Sequence, residues 1–260
     1  MQYFSILEQS SKEAIWAFAE KRGLTENLPD DYRHPQEDYL LVSENPPVFV
    51  VADGVTLNFR KLIEKGEKYP DPSPAGEVAR IFCEAVVENV KEKHETFNAG
   101  DTKEIFEQAN TVVADYNKKT GKSEISGNMT GFFAATGAFI VVKEDKAYWA
   151  SICDSFVAHF DKNMNLKFMS SGSCSPYTVI NGEERMIEHI ENGIFNLEDK
   201  DRVFVFTDGF EYYIRNPEFL NIFNEEGGDL KEKIREFSNK MNLKDPEKYG
   251  HERSLIAVGF

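Results

Sequence analysis

The chain has 260 residues, with 45 acidic against 30 basic side chains, a formal net charge of −15, and 41% hydrophobic residues that include 21 phenylalanines. The acid excess argues against non-specific nucleic-acid binding and against docking on anionic lipid, both of which rely on basic surface; the apolar and aromatic content argues against disorder. A chain of this size buries roughly 70–75% of its unfolded surface, and no repeat, low-complexity tract or Gly/Ser linker divides it, so a single domain over residues 1–260 is expected.

In chain order, Tyr3 to Leu7 reads as a strand and Ser11 to Lys21 as a short helix, followed by a polar stretch from Thr25 to Asp38. Tyr39 to Val42 and Val48 to Ala52 flank a turn through Asn45-Pro46-Pro47; the second run is β-branched without alternation, as in a strand buried on both faces. Ser73-Pro74 opens a helix with a cap residue and a proline at the first helical position. Its apolar face is Val78, Ile81, Phe82, Ala85, Val86 and Val90. Asp101 and Glu104 have the spacing of a capping box at the start of a second helix. Each helix is apolar on one side only and needs a flat surface to pack on.

The second half is richer in strands. Phe132–Val142, Ala147–Ile152 and Phe156–Phe160 read as an antiparallel meander, and Arg202–Thr207 as a further apolar strand. Short helices over Pro217–Phe223 and Asp229–Met241 precede a closing strand, Ser254–Phe260. Strands at both ends and in the middle, with helices in blocks, predict an α+β fold: an antiparallel β-sandwich flanked by helices. Cys83, Cys153 and Cys174 are too few and too irregularly spaced for a disulfide framework. No secretory signal and no run of roughly eighteen apolar residues is present. A cytoplasmic location in a reducing compartment is the expectation.

The acids carry the chemistry. Asp53-Gly54 and Asp208-Gly209 each end an apolar run. Either pair alone is an ordinary hairpin signal. Two such pairs at the ends of central strands can instead converge on one site, where glycine lets a metal approach the backbone carbonyl. Glu37-Asp38 opens the strand before Asp53, with Arg33 five residues ahead of Asp38; Asp154 sits at a strand junction; His251-Glu252-Arg253-Ser254 precedes the last strand.

This ordered set resembles the type 2C metal-dependent protein serine/threonine phosphatases, the PPM family. The segments are Arg33 to Asp38, Val48 to Gly54, Gly127 to Thr130 (one residue longer than the family spacing), Cys153 to Ser155, Val203 to Gly209 and His251 to Ser254. The resemblance implies two antiparallel sheets with helices outside and a site at one end holding Mn²⁺ or Mg²⁺. Two ions are implied, bridged by Asp53 and helped by the Gly54 carbonyl. Glu37 would support one ion with Asp38 nearby through water, Asp208 would hold the other, and Asp154 would serve a third. Arg33 would clamp the substrate phosphate, which a guanidinium fork suits better than lysine, and a metal-bridging hydroxide would attack phosphorus directly. The implied partner is a phosphoserine or phosphothreonine protein.

The sequence also departs from the pattern. His251 stands where the last metal-binding Asp belongs, with Glu252 next to it, and either could ligate; imidazole would favour a transition metal. Val55 replaces a common histidine, Thr56-Leu57 a Gly-Gly, Tyr212 an acid that serves the third metal, and Cys153 a glycine, where it is expected to be a small buried residue. Glu211, next to Tyr212, need not point inward. A degenerate member that binds a phosphoprotein without turnover, or a hydrolase of small phosphoesters, are the alternatives. His34, His94, His159 and His189 show no ligand spacing and are expected to be structural or solvated.

Overall fold

The computed structural model describes residues 1–29, 31–225 and 229–259. Its strands are β1 (Gln2–Glu8), β2 (Asp38–Glu44), β3 (Pro47–Gly54), β4 (Ala135–Lys143), β5 (Lys146–Ile152), β6 (Phe156–Phe160), β7 (Leu166–Met169), β8 (Glu191–Asn196), β9 (Arg202–Phe206) and β10 (Arg253–Gly259). Its helices are α1 (Lys12–Arg22), α2 (Phe59–Lys65), α3 (Pro74–Lys93), α4 (Asp101–Thr120), α5 (Glu211–Ile214), α6 (Pro217–Ile222), α7 (Leu230–Lys244) and α8 (Pro246–Tyr249). Two five-stranded sheets form, in the orders β1-β10-β9-β6-β7 and β2-β3-β4-β5-β8.

Side-chain alternation explains the layering. On β3, Phe49 and Val51 face the inside of the sandwich, where they meet Ile140, Trp149, Val205 and Ile256. Val48, Val50 and Ala52 face outward onto α3 and α4, packing with Phe82, Val86 and Phe106. The other sheet does the same: Val203 and Val205 point inward, while Phe204 and Phe206 pack outward with Phe210, Tyr213 and Phe219. A strand covered on both faces needs no polar positions, which is why these runs are continuously apolar.

Ser73 caps α3, its hydroxyl accepting from the Ala75 amide at 3.2 Å. The capping box expected at Asp101 does not form. Gly100 takes the cap position, and the Asp101 carboxylate folds back to accept from the backbone and side chain of Asn98. The meander breaks after β5: β6 leaves its neighbour and pairs with β9 and β7 in the opposite sheet. Periodicity alone does not reveal such a crossover. The short elements α2, β7 and β8 carried no clear sequence signal, and Phe260 lies outside the described residues. Cys153 and Cys174 are joined in a disulfide, against the expectation. The fold presses the β5–β6 turn against the segment after β7, a contact that the linear spacing hides.

A carboxylate cluster at one end of the sandwich

The same alternation builds the site. Residues 49, 51 and 53 share one face of β3, so Asp53 continues the inward-facing row at its open end. Asp38 is its direct cross-strand partner on β2, and Thr136 its partner on β4. In the facing sheet, the inward rows of β9 and β10 run out in Thr207 and Ser254. The Thr207 hydroxyl donates to Asp38 Oδ2 at 2.7 Å and accepts from the Ser254 amide at 2.9 Å, tying the sheets together at this level. Thr136 on β4 and Ser155, in the turn just before β6, share a 2.8 Å hydrogen bond. One end of an otherwise apolar interior is thus a polar ring.

Five acids meet at this ring. Asp38 is 2% exposed, and burial, then the nearby Glu252 charge, pushes its carboxyl well above the usual range. Asp53 is pushed up by burial and by the charges of Asp38, Asp208, Asp154 and Glu252. Asp208 is raised to about 8 by burial and then by Asp154 and Asp38. Glu252 is raised to about 8, chiefly by burial. Asp154 is raised by burial, and its Oδ1 is buried with no hydrogen-bond partner. None of these five carboxylates forms an ion pair among the described residues, unlike Asp201, which pairs with His159 and Lys167.

Glu252 is held from behind. Its Oε1 accepts from the amides of Glu37 and Asp38 and from Gln36 Nε2 at 2.6 Å, and its own amide donates to Ser10 Oγ at 2.9 Å. It lies two residues before Ser254, in phase with the inward row of β10. His251 is out of phase and exposed, its Nε2 against the Glu247 carbonyl. Close backbone packing requires glycine at both Asp-Gly pairs. A side chain at Gly54 would run into the Ala75 backbone, and one at Gly209 into the Glu252 carbonyl. Neither pair is a hairpin turn: Gly54 ends β3, and Asp208-Gly209 starts a 3₁₀ turn.

Other sequence-predicted residues lie elsewhere. Glu37 turns to the opposite face of β2, where Tyr69 (2.8 Å) and Ser73 donate to Oε1 and His34 Nε2 lies 3.1 Å from Oε2. Arg33 is exposed and makes no side-chain hydrogen bond or ion pair among the described residues. Its neighbour His34 lines the cleft, braced by the Tyr32 hydroxyl at 3.1 Å and stacked on Phe59. Tyr212 is exposed beside Lys248. Glu211 bonds Arg215 at 2.8 Å, yet its charge still raises Asp154 and Asp208.

Sequence reasoning gave no structural role to Thr207 or Ser155, which lie within the matched segments, and did not single out Thr136 or Tyr177. The first three follow from strand phase. Tyr177, its hydroxyl pushed up to about 12 by burial and then by Asp154 and Asp53, carried no signal.

The cleft above the ring is about 150 Å³, with Asp53, Asp208 and Glu252 on its floor and Ala14, Ile15 and Phe18 of α1 as one wall. Among the described residues, no three of the five carboxylates hold oxygens within 4.8 Å of one another. The trio that does is Cys153, Asp154 and Cys174, whose sulfurs are spent in the disulfide. An all-oxygen donor set, spaced too widely to grip one bare ion, with an orphaned buried oxygen and mutual repulsion, fits hard divalent ions that keep part of their water.

Two helix-flanked antiparallel sheets with such an end-on acidic site define the class: an αββα protein fitted to hold divalent cations. The chain belongs to the protein phosphatase 2C family, whose model matches residues 32–250. None of the curated proteins matches it. Among solved structures, it is similar to PppA of the Pseudomonas aeruginosa type VI secretion system (TM-score 0.63, 12% identity, covering 100% of this chain and 97% of the other). It is likewise similar to the catalytic domain of the serine/threonine phosphatase PstP in complex with two manganese ions (0.60, 11%, 99% and 96%). A third is the PPM Ser-Thr phosphatase MsPP of Mycobacterium smegmatis in complex with cacodylate (0.57, 13%, 100% and 97%). The expected α+β sandwich is therefore the fold observed. No described helix is long and apolar enough to cross a membrane.

Proposed function

We propose that the protein hydrolyses phosphomonoesters on phosphoserine or phosphothreonine proteins, using Mn²⁺ or Mg²⁺. The observation that carries this reading is the convergence of Asp38, Asp53, Asp154, Asp208 and Glu252 on one ring, three of them lining the cleft, with no ion-pairing partner among the described residues. So much buried like charge is stable only with protons or cations. Bound divalent ions would neutralise charge on the phosphoryl group and acidify an attacking water.

The protein's own residues divide the work. Asp53 and Asp208, on the cleft floor, would hold the ions. Asp38, fixed by Thr207, would orient Asp53 and its water shell. Glu252 would take the place of the missing last aspartate, because its carboxylate lies in phase with the inward row of β10 among the ring acids, whereas His251, which also lines the cleft, is exposed and has its Nε2 turned to the Glu247 carbonyl. Asp154, with its orphaned oxygen, would serve an outer, third ion. Glu37 would act as a brace between β2 and α3, and Arg33, exposed and without an ion pair among the described residues, would meet phosphate.

In the test, purified protein with Mn²⁺ should hydrolyse p-nitrophenyl phosphate and a phosphothreonine peptide, lose activity to a chelator, and lose most of it in Asp208→Asn. Metal-loaded protein inert on both substrates would overturn the catalytic reading and leave a phosphoprotein-binding one. That second reading draws on the departures at His251 and Tyr212, the latter exposed beside Lys248.

A further inference from the structure

The acidic cleft does not end at α1. Phe18, Thr56 and Phe59 line it and also line a second cavity of about 440 Å³ between α1 and α2. The two cavities adjoin along these three residues, and the charge changes sign from one to the other. The second cavity is lined by Arg22 and Arg60, with Leu24, Leu57 and Asn58 between them, and by no acid at all, in a chain with 45 acidic residues. Arg80, Arg215 and Arg253 each pair with a glutamate. Arg22 and Arg60 have no carboxylate within ion-pair distance among the described residues. Arg22 instead lies over the Phe18 ring, its Cζ 3.6 Å from the centroid. That contact holds the guanidinium against an apolar wall and leaves its donors free.

From this we infer that the groove between α1 and α2 receives the polypeptide flanking the phosphorylated residue and selects an acidic side chain there through Arg22 and Arg60. The inference rests on the phosphatase reading and specifies its substrate class. A phosphoprotein segment with acidic flanks meets repulsion from most of this surface, so an acid-free stretch carrying two unpaired guanidinium groups is where its charge is best met.

Helix geometry also sets the register. Ala14, Phe18 and Arg22 lie one turn apart on one face of α1, with Ala14 at the carboxylate cleft and Arg22 in the second cavity. At about 1.5 Å rise per residue, Ala14 to Arg22 spans about 12 Å. Extended chain covers this in about three to four residues at roughly 3.3 Å each. The favoured acid therefore stands three or four positions from the phosphoresidue.

The test uses the full chain loaded with Mn²⁺ and fluorescein-labelled phosphothreonine peptides that carry Glu, Ala or Lys at positions three and four on one side or the other. Both fluorescence anisotropy and kcat/KM are read. The Glu peptide on one side should bind and turn over about tenfold better than the Ala peptide, and the Lys peptide worse. In the double variant Arg22→Gln, Arg60→Gln, with Arg60→Ala alone as a second variant and melting curves confirming folding, the Glu/Ala ratio should fall towards one. Equal binding of all three peptides by the unmodified protein overturns the inference, as does a preference that survives loss of both arginines. A Glu preference in anisotropy with no turnover on any peptide upholds the groove and sinks the phosphatase reading instead.

Discussion

Glu252 gives a sharp test of the site, because it performs two separable tasks. Its Oε1 is the acceptor for two main-chain amides, those of Glu37 and Asp38, and for Gln36 Nε2, while its charge adds to the repulsion that raises Asp38 and Asp53. Glu252→Ala strands the two amides; at about 1–3 kcal/mol for each unsatisfied buried donor, less the repulsion relieved, the metal-free protein should lose about 2 kcal/mol. Glu252→Gln keeps an acceptor oxygen of nearly the same shape and cannot ionise, so metal-free stability should hold near pH 7 and exceed that of the unmodified protein above about pH 8, where the glutamate is charged. Both substitutions should weaken Mn²⁺ binding by at least about tenfold, the scale already found when residues that merely orient ligands are removed. His251→Ala should change neither quantity appreciably. Thermal melts with and without Mn²⁺, together with calorimetric titration of Mn²⁺, read both tasks. Wild-type Mn²⁺ affinity in Glu252→Gln, or a larger loss in His251→Ala, would refute the assignment and return the position to the histidine.

Two further outcomes follow from the same geometry. Asp208 and Glu252 titrate near 8 in the metal-free fold and near 4 in an unfolded chain. Their folded values are raised, so their contribution to stability is fully present below about pH 4 and is lost as pH rises towards 8. Metal-free protein should therefore melt progressively lower from pH 5 to 8. Saturating Mn²⁺ should flatten that decline, and apparent Mn²⁺ affinity should climb over the same range; a melting profile independent of pH would contradict the cluster. For Glu37, already engaged by Tyr69, Ser73 and His34, Glu37→Gln should lower the melting temperature while leaving Mn²⁺ affinity within about twofold, and a selective loss of metal would make it a ligand after all.

The convergence of the acids was legible because strand phase and chemistry agree: Asp53 and Asp208 end runs too apolar to be surface hairpins, and the fold brings both to one cleft. The choice between His251 and Glu252 was open to the eye as well. Counting back in twos from Ile256 puts residue 252 on the inner face, but only once it is known which face of β10 is the inside. Glu37 illustrates the limit. Adjacent to Asp38, it lies on the other face of β2, and nothing local shows that Tyr69 and Ser73 wait there. The disulfide, the crossing of β6 to the second sheet and the position of Tyr177 depend on long-range packing that no local pattern encodes. Helix α1 was visible as a helix, but its place as a wall of the cleft was not.

The hydrogen bonds behind Glu252 link residues more than two hundred positions apart, and β1 is zipped along its whole length to β10. The cleft is thus lined where the segments next to the first and last strands meet, with Ser10 following β1 and Glu252 preceding β10. While the chain is being synthesised, Asp38 and Asp53 emerge early and pair with one another, yet their facing wall does not exist until β10 has been made. Contacts of such high sequence separation carry a large loop-closure cost, and until Glu252 is made Asp38 and Asp53 lack that part of the ring. The full carboxylate set therefore exists only once Glu252 and the strand that follows it have been made.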